Sequence, residues 1–227
     1  MNVAWAPDEL AYAGAEHRDP AYVVGYDTKA GFDVSPDIEL LRQCAGDPSS
    51  TLVDLGAGTG ILAAAAVPLF GRVVAVDPSP TLLAAAGARE AGIECVLAGF
   101  LSYEHAGEPP AAVYSRNALH HLPDVWKALA LQRVSHMLKP GGTFVLRDIV
   151  YTCDPDELEG VLNAWFEAAT TDPRDGWTRA ELETHVRDEY STFAWLLEPM
   201  LQRAHFEIQD VWVSDSRTYA RYVCVKK

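Results

Sequence analysis

From 51 to 150, short β-branched runs alternate with longer stretches of helical period, the pattern that builds βαβ units on a parallel sheet. Strands are predicted over Thr51–Leu55, Arg72–Asp77, Ile93–Leu97, 112–115 and 143–150. Between Pro123 and Leu138 the apolar residues Val125, Leu129, Val134, Met137 and Leu138 fall on one helical face, which predicts a helix laid on that sheet. Gly71, Gly92 and the pair Gly141-Gly142 follow helical segments, where a left-handed residue often ends a helix.

Two regions stand outside this alternation. Residues 1–48 are rich in aromatics and acids, and Ser35-Pro36-Asp37-Ile38-Glu39 reads as a helix start, so a helical cap is expected there. Residues 151–190 read as an insertion, in which Thr178-Arg179-Ala180-Glu181 has capping-box spacing and opens a short helix. In the last segment, 191–227, the stretch 191–203 carries Phe193, Leu196, Leu197, Met200 and Leu201 on one side, and two strand-like runs follow at 206–213 and 219–225. The expectation is one domain over 1–227, made of cap, core (49–150), lid-like insertion and closing helix with strands.

Composition narrows the partners. The chain has 227 residues, 49% of them hydrophobic and 22% charged, which is the profile of a folded protein. Its net charge of −14 opposes phosphate neutralisation, so neither nucleic acid nor an anionic membrane surface is expected as a partner. A small-molecule partner fits better, and the absence of heptads leaves a homo- or a hetero-dimer open. The longest apolar run, 61–70, is ten residues, half of the ~20 that span a bilayer. No secretory signal pattern opens the chain, which makes the cytoplasm the expected location. Cys44, Cys95, Cys153 and Cys224 show no metal or disulfide spacing; they read as core or semi-buried thiols, and no metal is expected.

The chemistry begins at Asp54-Leu55-Gly56-Ala57-Gly58-Thr59-Gly60, after a predicted strand and before a helix. Gly56 and Gly58 permit a sharp turn and let a ligand touch backbone, and Thr59 is placed to cap the helix. A dinucleotide fingerprint starting at Gly56 would need glycine at 61, where Ile61 stands.

The acid followed by GxGxG resembles motif I of class I S-adenosylmethionine (SAM)-dependent methyltransferases. The resemblance extends to Asp77 at the end of the second strand and to Leu138-Lys139-Pro140-Gly141-Gly142-Thr143 before the fifth. It implies an α/β, Rossmann-like doubly wound fold, with a seven-stranded, mostly parallel sheet whose last strand is antiparallel. It also implies SAM as cofactor and S-adenosylhomocysteine as product. The cofactor-binding set would be Asp54, Gly56, Ala57, Gly58, Thr59, Gly60, Asp77, Pro78, Gly99, Phe100, Ser115 and Asn117, with Asp77 accepting the ribose hydroxyls. One departure stands out: the family's frequent acid after the third strand is missing from Ala98-Gly99-Phe100-Leu101.

Ligands of open α/β sheets bind beyond the carboxyl ends of the strands. There the chain reads Ser115-Arg116-Asn117-Ala118-Leu119-His120-His121, and Arg147-Asp148 after the fifth strand. A histidine near the acceptor suits proton removal during methyl transfer, so His120, His121 and Asp148 are the candidate catalytic groups. Packing and a loop hydrogen bond are the competing reading for either histidine. Helical spacing aligns Glu181, His185 and Glu189, and the candidate substrate contacts are Tyr22, Tyr26, Phe32, His185, Arg187, Glu189 and Tyr190. A salt-bridged surface helix and plain aromatic packing compete with that assignment. The expected function is methyl transfer from SAM to an O, N or C nucleophile of a small metabolite. Two alternatives stay open: a cyclisation or elimination on the same fold, and a methyltransferase-like subunit of a hetero-complex.

Overall fold

The computed structural model describes residues 5–14 and 16–227; Met1–Ala4, the start of the expected cap, and Ala15 lie outside the described residues. Eight strands form the sheet: β1 (Thr51–Leu55), β2 (Arg72–Asp77), β3 (Ile93–Leu97), β4 (Ala112–Arg116), β5 (Thr143–Tyr151), β6 (Thr192–Phe193), β7 (Phe206–Val213) and β8 (Tyr219–Lys226). Seven of them run in the order β3-β2-β1-β4-β5-β8-β7, and the two-residue β6 pairs with β5 off this path. β1 to β5 are parallel, while β8 is antiparallel to both β5 and β7. The predicted sheet of seven thus gains one short strand, where Thr192 and Phe193 meet Val150 and Tyr151. The chain leaves β1 toward β2 on one side and β4 on the other, so the strand order reverses at β1 and β4, where such sheets bind their ligands.

β1, β2, β4 and β5 are apolar because both sheet faces are covered. Alternate residues feed opposite cores. Val53, Leu55, Val74 and Leu146 pack with Leu131 and Val134 of α6 (Asp124–Met137) and with Leu201. Leu52, Ala75, Tyr114 and Val145 pack on the other face with Leu41, Leu62 and Leu83. A third cluster joins Ile149 and Tyr151 to Trp165 and Leu182, seating the insertion on the end of β5. That insertion contains two helices, α7 (Leu158–Glu167) and α8 (Arg179–Asp188), and α8 opens with the predicted Thr178–Glu181 capping box. α9 (Ala194–Arg203) follows β6, so the helix begins three residues later than the predicted 191–203.

The cap comprises α1 (Glu9–Tyr12), a 3-10 turn at Glu16–Arg18, α2 (Pro20–Ala30) and α3 (Ser35–Cys44). α3 starts at the predicted Ser35, although Val34 is its N-cap and offers no side-chain hydrogen bond. α4 (Ile61–Ala66) and α5 (Pro80–Arg89) complete the core helices.

Three local expectations are corrected. Val125 is exposed, because α6 turns Ala130, Leu131 and Val134 to the sheet and also buries Lys127, whose ammonium donates to Asp124 and to the Tyr190 carbonyl. Cys44 and Cys95 are exposed, Cys95 because β3 is the edge strand; Cys153 and Cys224 are buried, and all four are free thiols. Of the four helix-terminating glycines only Gly141 has positive φ, at 70°. Gly71 is required by space instead, since a Cβ there would lie 2.3 Å from the Pro48 carbonyl oxygen.

Candidate functional site

The turn after β1 builds one wall of a cleft of about 940 Å³ at the carboxyl ends of the strands. Gly56 and Gly58 have φ of +72° and +55°, and the Gly56 and Ala57 N–H groups donate to the Val76 carbonyl, folding the turn back onto β2. A side chain is excluded at Gly56, where a Cβ would lie 2.3 Å from the Ala118 Cβ, whereas at Gly58 it would point into open space. Asp54 is buried at the base of the cleft. Burial, reinforced by the charge of Asp77, pushes its carboxyl up to about 8. The Asp77 carboxylate accepts N–H bonds from Gly58 and Ser79, each at 2.8 Å. Burial raises its pKa, and those two donors hold the rise back.

Ala57, Thr59, Pro78, Gly99, Phe100 and Asn117 line the same cleft. Thr59 does not cap α4; its hydroxyl donates to Asp27 of α2, which also receives Arg89, so the cap is fastened to the glycine turn. Gly60 and Ser115 are not lining residues: Gly60 stands at the start of α4 close against Ala86, and Ser115 is fully buried in β4. Asn117 has φ +49°, donates its N–H to the Arg147 carbonyl, and leaves its buried Oδ1 without a hydrogen-bond partner.

Glu9 is a lining residue that the sequence did not reveal. Its carboxylate accepts from Leu101 N–H and Ser102 Oγ at 2.8 and 2.7 Å, beside Gly99 and Phe100. An acid therefore reaches the region after β3 from the N-terminal cap, where the local sequence has none.

A second cavity, of about 1150 Å³, lies under the lid. Trp165 of α7 and Trp177 ahead of α8 contribute aromatic surface, with Tyr22 and Tyr26 of α2, Phe32 and Tyr219. Lys29 ties cap to lid: it pairs with Glu181 and lies over the Trp177 ring, 4.7 Å from its centroid. Glu181 is thereby engaged, together with its capping box, while His185 and Glu189 meet each other at 2.7 Å.

Their neighbours are the two candidate histidines. His120 Nδ1 pairs with Asp148 Oδ1, and the His120 N–H donates to Asp148 Oδ2 at 3.1 Å, so two of the candidate groups meet at the ends of β4 and β5. On its other side His120 Nε2 lies 3.0 Å from Glu189 Oε2. Burial alone would depress the His120 pKa, but Asp148 and Glu189 outweigh it and raise it to about 9. His121 goes the other way: burial, then the nearby His120 charge, hold it well below the usual imidazole range.

Two predicted contacts are not in either cavity. Arg187 is exposed and bonds to Asp188 and Thr184 at 3.2 and 3.0 Å, because two residues along a helix from His185 carry it to the opposite face. Tyr190 follows the end of α8, where Glu189 turns to φ −109° and ψ 170°; its ring packs edge-on against Tyr12 and its N–H donates to the His120 carbonyl.

Residues 52–142 match the model of the methyltransferase domain family. Over these residues the chain is similar to methyltransferase domains. An uncharacterised methyltransferase of Geobacillus kaustophilus is 30% identical over 135 residues, covering 57% of this chain and 60% of the relative. Matches to the first curated relatives span 42–64% of their own lengths. Among solved structures, a cyclopropane synthase of Mycobacterium tuberculosis superposes with a TM-score of 0.65 at 15% identity, covering 99% of this chain and 100% of that one. Geranyl diphosphate C-methyltransferase of Streptomyces coelicolor, in complex with S-adenosyl-L-homocysteine, gives 0.64 at 13% identity, covering 85% and 79%. At these identities the two structures share the fold. The match ends at Gly142, so the lid and its histidine-facing residues lie beyond it. No helix among the described residues is long and apolar enough to cross a membrane.

Proposed function

We propose that the chain transfers a methyl group from SAM to a small, largely aromatic or apolar acceptor in the second cavity. The observation that carries this reading is a shared wall: His17, Tyr26, Phe32, Asn117 and His121 line both cavities. A cofactor in one space and an acceptor in the other would meet across that wall.

The first cleft suits SAM by its donor and acceptor chemistry. Asp77 spends one backbone N–H on each carboxylate oxygen and keeps lone pairs for ribose hydroxyls. The glycine turn leaves room above Gly58, Phe100 offers an aromatic surface to adenine, and the unpaired Asn117 Oδ1 is an acceptor for an ammonium group. Asp54 adds acidity near a cationic ligand. When bound, the cofactor supplies a methyl group already activated on a sulfonium.

What remains for the protein is alignment, exclusion of water and custody of a proton. The aromatic cap residues Tyr26 and Phe32 shield the wall. Burial first, then Asp77 and Asp27, raise the Tyr26 pKa, so its hydroxyl keeps its proton and serves as a donor. His121 Nδ1 is buried without a hydrogen-bond partner at that wall, an acceptor for the acceptor molecule's proton.

Titration calorimetry with S-adenosylhomocysteine tests the cofactor half. Asp77→Ala should weaken binding roughly 10–100-fold, the ~1.5–3 kcal/mol of hydrogen bonds to a charged group, with the melting transition retained. Unchanged affinity in the variant, or no binding to the wild type, removes the proposal.

A further inference from the structure

We propose that His120, His185 and Glu189 form a binding site for a divalent first-row transition ion of the zinc class, open to the second cavity. Their ligand atoms all lie within 4.8 Å of one another. His120 Nε2 and His185 Nδ1 approach the same oxygen, Glu189 Oε2, at 3.0 and 2.7 Å. A tetrahedral zinc site with bonds of ~2.0–2.1 Å sets its ligand atoms about 3.3 Å apart, so small side-chain shifts open the required space.

The surroundings point to an ion rather than a simple polar cluster. Both imidazoles are buried, and each has its remote nitrogen engaged: His120 Nδ1 by Asp148, and His185 Nε2 by Ser191 Oγ at 2.9 Å. Partners of this kind orient metal-ligating histidines; here the ion would displace the proton that His120 Nε2 carries toward Glu189, and His120 Nε2 and His185 Nδ1 lie on either side of the same carboxylate oxygen. Glu189 Oε2 is itself buried and three imidazoles surround it, two of them at 3.0 and 2.7 Å, an arrangement that holds its carboxyl well below the usual carboxylate range. The third, His121 Nδ1, lies 3.6 Å away and has no hydrogen-bond partner.

Two imidazoles and one carboxylate are the donor set of ions such as Zn²⁺, whereas Mg²⁺ prefers all-oxygen ligands. Three protein ligands leave a position open, and His120, His185 and Glu189 all line the cavity. The ion would bridge the loop after β4 to the lid helix α8. One deepening rests on the methyl-transfer reading: the acceptor would be an oxygen nucleophile, a phenol, enol or hydroxy group, whose oxygen the ion would hold while its proton is released to water; the oxygen–methyl bond would form as the sulfonium–methyl bond breaks, leaving S-adenosylhomocysteine. The ion site itself does not depend on that reading.

The test is calorimetry and metal analysis on tag-free, chelator-stripped protein titrated with Zn²⁺ and, separately, Mg²⁺. One Zn²⁺ per chain and no Mg²⁺ is expected. His185→Ala and Glu189→Gln should lose zinc binding by more than 100-fold, Asp148→Asn by roughly 10–100-fold, and the exposed His136→Ala should change nothing. Absence of zinc binding in the wild type, or binding unchanged in both ligand variants, overturns the proposal. Should a variant fail to fold, X-ray absorption on the zinc-loaded wild type decides: imidazole and oxygen ligands support the site, and sulfur ligands overturn it. Loss of S-adenosylhomocysteine binding with zinc binding intact would remove the methyl-transfer reading alone.

Discussion

Replacing Asp54 by asparagine isolates what it costs to keep a carboxyl group out of water at the base of the first cleft. Asp54 is 2% exposed, and burial together with Asp77 pushes its pKa up to about 8 in the folded chain. In the unfolded chain the value is about 3.9. Between those values the unfolded chain has released the proton and the folded chain holds it. Stability therefore falls as pH rises through this window, by about 1.4 kcal/mol per pH unit. For a chain of this size 1 kcal/mol moves the melting temperature by about 2–4 °C, so Asp54 alone contributes a fall of about 3–6 °C per unit. Other titrating groups act equally on both proteins and cancel in the difference. The neutral carboxyl and the amide are close in shape and charge, so the two proteins are alike near pH 4, and the amide's advantage grows from there through pH 6 to pH 8. Melting curves of wild type and Asp54→Asn at pH 6, 7 and 8 should diverge in favour of the variant by that slope. Parallel curves would refute the raised pKa and the dry environment it reports.

Other expectations follow from the same cleft. Binding of SAM beside Asp54 should release close to one proton at pH 7, because a cationic ligand favours the carboxylate; binding enthalpies in buffers of different ionisation enthalpy measure it, and buffer-independent values would contradict it. Gly56→Ala forces a Cβ to within 2.3 Å of the Ala118 Cβ at a φ of +72°. It should cost about 2–4 kcal/mol, the sum of left-handed strain and overpacking, and an unchanged melting temperature would show that the turn relaxes freely.

The sheet was legible because parallel strands buried on both faces leave continuous β-branched runs. β1, β2 and β3 coincide with their predicted limits. The pairing of β4 with β5 brings His120 to Asp148, but which of His120 and His121 would meet it depends on the turn after β4, which the sequence left open. Glu9 could not, since its role after β3 depends on how a distant cap helix docks. Nor could α7 and Trp165, which carry no capping signature to single them out. Arg187 lies inside α8, two residues from His185 and so on its opposite face; Tyr190 was misplaced for another reason. Helical phase was carried through Glu189 and beyond, but α8 stops at Asp188 without a glycine or proline to mark the end. Helical spacing aligned His185 with Glu189, but the arrival of His120 beside them depends on how the lid docks over the loop after β4, which local sequence does not carry.

Two cavities meet at one wall, and a crystal structure of the chain with bound S-adenosylhomocysteine tests most directly whether cofactor and acceptor face each other across it. The predicted result has the ribose hydroxyls on Asp77 and the sulfur at the wall formed by Asn117, His121 and Tyr26, facing the space beneath Trp165 and Trp177. A sulfur directed away from that space, or a ligand bound elsewhere, would contradict it.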